Sequence, residues 1–152
     1  MGNDTKSGLT DQETSDLRHI AGTMIPASAE YGLPGADDPA IFADILASLG
    51  RDLPQVRQAV AAIITESGGA FASWDADRRE ACIAACTAKG GPAATLGRVI
   101  LSCYYRDDRV LRAIGHEPRP PFPKGNVAEQ GDWSLLDVVR ARPQFWRDDR
   151  SA

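Results

Sequence analysis

Pro92–Tyr105 reads PAATLGRVILSCYY. Leu96, Val99, Ile100 and Cys103 recur at helical spacing and make one apolar face, while Leu101 and Tyr105 fall on other sides. Proline suits the first turn of such a helix, because the N–H it lacks would have no partner there. A helix that is apolar nearly all round is buried, or is buried on one side and covered by a partner on the other. This stretch therefore points to an all-α domain with helices packed around a shared core.

Working outward, the same spacing recurs in both directions. Thr10-Asp11-Gln12-Glu13 matches a capping box, in which the threonine hydroxyl and the glutamate three residues on satisfy each other's backbone N–H groups. Leu17, Ile20, Ala21 and Met24 then form a buried stripe, with His19 on the opposite, solvated side, and Pro26 ends the helix. Asp38-Pro39 opens a second helix with Ile41, Phe42, Ile45, Leu46 and Leu49 on one side and Gly50 as its stop. Asp52-Leu53-Pro54 is expected to open a third in the same way, its face made by Val56, Ala59, Val60, Ile63 and Ile64.

Phe71 and Trp74 sit in a short connector, and Asp75 or Asp77 caps a fourth helix reaching Ala88. Gly90-Gly91-Pro92 is a break between helices. No Lys-Ser/Thr pair follows and no strand precedes, so a phosphate cradle is not indicated. Past Tyr105, Asp107 or Asp108 caps a short helix with Val110, Leu111 and Ile114 inward, closed by Gly115. The sum is about six helices in one domain over residues 9–152, preceded by a loose tail over 1–8. No segment shows convincing strand alternation.

Composition narrows the function classes. The chain has 152 residues, a net charge of −4 and a pI of about 5.1, which argues against nucleic acid as the main partner because phosphate binding wants a basic surface. Three cysteines, Cys82, Cys86 and Cys103, form no CxxC and no even-numbered framework, and they read as small buried apolar side chains. No run is apolar enough to span a bilayer, and the start MGNDTKSGLTDQE lacks an apolar signal core, so a cytoplasmic location is expected. Neither histidine stands at metal-ligand spacing from another ligand, and GxSxG, HExxH and GxGxxG are all missing. No catalytic, cofactor-binding or metal-binding residue is assigned in this chain.

The other informative stretch is Arg119–Asp137, RPPFPKGNVAEQGDWSLLD. It has neither helical nor strand period, and prolines with fixed φ make it stiff. A long loop of this kind is usually functional or disordered, and its aromatic content favours function. The segment 116–152 is expected to wrap the helical body and present a surface to a partner protein. Val138–Arg142 forms one further turn, and Phe145-Trp146 near the C-terminus is an aromatic pair of the kind that docks. The expected interface residues are Tyr104, Tyr105, Arg119, Pro121, Phe122, Trp133, Phe145 and Trp146, since Trp, Tyr and Arg dominate interface hot spots. Two alternatives stand beside this reading. One is a small helical enzyme using Asp132, Asp137 and His116, with Glu129 as a further carboxylate near Trp133. The other is a helical ligand-binding module.

A family resemblance sharpens the partner reading. Thr23-Met24-Ile25-Pro26 closing a helix, the glycine-rich acidic loop after it, and Phe42-Ala43-Asp44-Ile45-Leu46 resemble the start of the gluconate 2-dehydrogenase subunit 3 family. Tyr104-Tyr105-Arg106-Asp107-Asp108-Arg109-Val110, Arg119-Pro120-Pro121-Phe122-Pro123, Gly131-Asp132-Trp133 and Leu135-Leu136-Asp137 resemble its C-terminal half. The resemblance runs from about Leu9 to Trp146. It implies a non-catalytic small subunit that binds and stabilises a large glucose-methanol-choline (GMC) type flavoprotein. FAD and the oxidation of a sugar or other alcohol would lie in that partner, with an electron-carrier subunit as a further candidate. Many such small subunits begin with a twin-arginine export signal, a pattern from which this chain departs.

Overall fold

In the computed structural model the described residues are 8–119, 125 and 130–143. The fold is all-α. Its helices are α1 (Asp11–Met24), α2 (Pro39–Ser48), α3 (Leu53–Glu66), α4 (Ala76–Ala88), α5 (Pro92–Tyr104), α6 (Asp108–Ala113) and α7 (Asp137–Arg140). The chain divides into two units, Met1–Pro118 and Arg119–Ala152.

Within the first unit, α3 packs against α1, α4 and α5, and α2 packs against α5. Leu17, Ile20, Ile41, Ile45, Val56, Ile63, Leu96 and Ile100 supply the core, each with almost no exposed surface. Burying one such side chain is worth about 1.5–3 kcal/mol. Leu9 is also sealed, so the core begins immediately before the first cap. That cap is the expected box: Glu13 N–H donates to Thr10 Oγ1 at 3.2 Å and Thr10 N–H donates to Glu13 Oε2 at 2.8 Å. The face expected on α5 is buried, and Cys82, Cys86 and Cys103 are buried free thiols. Burial raises the Cys82 and Cys103 pKa values.

Some local expectations change. Asp52 does not cap α3: a short 3-10 turn, Gly50–Asp52, runs straight into the helix, so Asp52 already has helical dihedrals and its side chain makes no cap bond. Its carboxylate instead pairs with Arg98 of α5 at 2.8 Å. Asp75, rather than Asp77, caps α4, and Asp107, rather than Asp108, caps α6. Ile114 is exposed rather than inward, because α6 stops at Ala113 and the chain has left helical geometry there.

One arginine joins two caps. Arg109 places its guanidinium on Asp38, the cap of α2, at 2.7 Å, and on Asp107, the cap of α6, at 2.9 Å. Hydrogen bonds from Arg109 hold both carboxyls below the usual carboxylate range. Arg106 reaches Asp44 at 2.6 Å and Ser48 at 2.8 Å, tying the end of α5 to α2. The Arg109 pairs link the start of α6 to the start of α2.

Candidate binding surfaces

The residues expected at an interface fall into separate places. Tyr104 is only 3% exposed. Its hydroxyl donates to the Pro34 carbonyl at 3.0 Å, which binds α5 to the loop before α2. The expectation that it faces a partner is therefore corrected: α5 turns Tyr104 inward beside Cys103. Tyr105 is 52% exposed and meets the Tyr104 ring edge-on, with centroids 5.3 Å apart. Leu101, one turn before Tyr105, is also exposed. These two side chains put an apolar strip on the outer side of α5, the side a partner could cover.

In the second unit, Trp133–Leu136 is a 3-10 turn leading directly into α7. Trp133, Leu135, Leu136, Val138 and Val139 are 63%, 73%, 41%, 72% and 53% exposed. Five large apolar residues exposed within seven positions is a dense presentation, and contiguous exposed apolar surface marks interaction sites. Arg119 is half-buried. Pro121, Phe122, Phe145 and Trp146 lie outside the described residues, as does Glu129.

The carboxylates of the alternative enzyme reading are occupied locally. Asp132 accepts from Ser134 N–H at 3.0 Å and from Ser134 Oγ at 2.6 Å, as the cap of the turn, and these bonds lower its pKa. Asp137 pairs with Arg140 at 3.0 Å. Stabilised in its charged form by Ser134, Asp132 is a weaker base, opposite to the tuning a general base at neutral pH needs. His116 is exposed at the end of the first unit. Among the described residues, no group of three His, Cys, Asp or Glu side chains is placed to hold a metal ion. None of the described helices is long and apolar enough to cross a membrane.

A further feature was not found from sequence. Between α1 and α4 lies a cleft of about 340 Å³ lined by Arg18, His19, Gly22, Asp37, Arg79 and Glu80, among others. Arg18 donates through Nε and Nη2 to the Asp37 carbonyl at 3.1 and 2.9 Å, and its guanidinium lies over the Phe42 ring. The Asp37 side chain lies in a notch made by two glycines. A Cβ on Gly22 would come within 2.8 Å of Asp37 Cγ, and a Cβ on Gly35 would collide with Asp37 Oδ1. Neither glycine has the positive φ that commonly calls for this residue, so space explains both. Gly22 inside α1 was the available signal, since a mid-helix glycine costs about 1 kcal/mol relative to alanine and needs a packing reason.

No family model matches the chain, no curated protein is found similar to it, and no solved structure matches it.

Proposed function

We propose that this chain is a non-catalytic small subunit that binds and stabilises the FAD-containing, GMC-type catalytic subunit of an alcohol or sugar dehydrogenase, as a member of the gluconate 2-dehydrogenase subunit 3 family. The observation that carries the reading is the exposed apolar run from Trp133 to Val139. A segment of this composition is stabilised by docking on another surface, and a tryptophan beside branched aliphatic residues is the usual make-up of an interface anchor. Tyr105 and Leu101 offer a second apolar strip of the same kind on α5.

The local engagement of Asp132 and Asp137 supports placing the reacting groups elsewhere, in the partner. Substrate hydride would pass to the flavin within that partner, and this chain would supply contact surface. Co-expression with a GMC-type flavoprotein from the same organism tests the reading. The expected result is a stable yellow complex whose flavoprotein loses solubility or activity when this chain is omitted. A flavoprotein that folds, binds FAD and turns over equally well alone, and does not retain this chain on a column, would overturn it.

A further inference from the structure

We propose that the charged cleft between α1 and α4 binds a free α-amino acid with an apolar side chain. The inference stands apart from the dehydrogenase reading and uses none of the residues assigned to the partner surface.

Several arginines elsewhere in this unit close on carboxylates, while other charges, Asp11, Glu30, Arg51 and Asp77 among them, stay in solvent. Arg57 closes on Glu13 at 2.8 Å, Arg98 on Asp52 at 2.8 Å, Arg106 on Asp44 at 2.6 Å and Arg109 on Asp38 at 2.7 Å. In the cleft, two guanidinium groups and two carboxylates line one cavity without closing on each other. Arg18 is turned to the Asp37 backbone carbonyl, and Arg79 directs Nε to the Asp75 carbonyl at 3.4 Å, leaving its terminal nitrogens for the cavity. The carboxylates of Asp37 and Glu80 accept no hydrogen bond from the described residues. Asp37 is nevertheless firmly placed, pinned by the Arg18 fork on its carbonyl and by the notch at Gly22 and Gly35. Asp37 is exposed, so its carboxylate, positioned by two glycines, faces solvent at the cleft, where a donor on a ligand can replace water.

The charges of Arg18, Arg79, Asp37 and Glu80 cancel, so the cleft suits a ligand carrying both signs and no net charge. An ammonium group fits Asp37 and Glu80, and a carboxylate fits the Arg79 fork with His19 beside it. The cleft also continues into an apolar groove. Thr23, Pro26 and Glu80 line both, and Met24, Ile83 and Ala84 line the groove. Charged head and apolar tail are therefore received side by side. The combined space is in the range of small-molecule sites.

The test is titration of the full chain, followed by amide and methyl NMR shifts, with L-leucine, glycine, isoamylamine and 4-methylpentanoate. L-Leucine is expected to shift resonances of α1 and α4 around Gly22, Arg79 and Ile83. The amine and the acid, each lacking one charge, and glycine, lacking the apolar tail, should bind about tenfold more weakly or less. Asp37→Asn and Arg79→Gln should each weaken L-leucine by about tenfold or more while the rest of the spectrum stays native. Gly22→Ala should weaken it too, by moving the Asp37 carboxylate. Absence of shifts at the cleft at about 10 mM ligand would overturn the proposal. So would equal binding of isoamylamine, or unchanged affinity in a natively folded Asp37→Asn protein.

Discussion

Val99 and Ile100 on α5 are sealed from water, whereas Val138 and Val139 on α7 are more than half exposed. The residue types are the same and both stretches are helical. What differs is the company. α5 has α2, α3 and α4 against it, and its apolar face is spent on them. In the second unit the described helical stretch is a 3-10 turn and one turn of α-helix, too short to build a core of its own. The first region is therefore a scaffold, and the second offers apolar side chains that another surface can take up. The first also carries a layer of ion pairs that fix its caps, while the described ion pair of α7 is the local Asp137–Arg140 contact.

The contrast breaks if core and tail respond alike to mutation. Ile100→Ala should lower the unfolding free energy by about 2–5 kcal/mol in urea titration, because a cavity opens at a fully buried core position. Trp133→Ala should leave that titration within about 0.5 kcal/mol, yet weaken binding to the proposed flavoprotein partner by about 2 kcal/mol or more in a binding assay. Equal loss of stability in both variants would mean that Trp133 serves the fold.

Arg109→Met sharpens the role of the ion-pair layer, with an expected loss of about 1–2 kcal/mol, kept small because the arginine is half exposed. The same variant should change the acid limb. Asp38 and Asp107 have folded pKa values below their unfolded ones, so their contribution is present above the unfolded value of about 3.9 and is lost as pH falls through the lower folded values. Urea midpoints measured downward from neutral pH should fall less steeply in Arg109→Met than in the parent. The smallest expected effect compares two caps. Thr10→Ala should cost about 1 kcal/mol of global stability, whereas Asp132→Ala should leave the global unfolding transition unmoved and only loosen the local turn, read as faster amide exchange at Ser134.

Much of the fold was legible because helices announce themselves locally. The capping box at Thr10, the Asp38-Pro39 start and the 3.6-residue stripes on α1, α2, α3 and α5 are properties of short windows, and all reappear in the structure. The places where reading failed are those where a neighbour in space decides. Asp52 resembled a cap, yet the preceding 3-10 turn had already used its backbone. Tyr104 resembled a surface aromatic, yet the Pro34 carbonyl, distant in sequence, takes its hydroxyl inward. The cleft at Asp37 gave no motif, because its residues come from three separated segments and its clearest trace is a missing methyl group at Gly22.

By itself, then, the order of residues determined that this chain is helical, where most helices start, and which faces are apolar, because hydrogen bonding and periodicity act within a few residues. Only the tertiary structure decided which apolar residues remain exposed, which carboxylates close on arginines, and which charges are left facing a cavity. Those outcomes depend on distances between segments tens of residues apart, which periodicity does not encode.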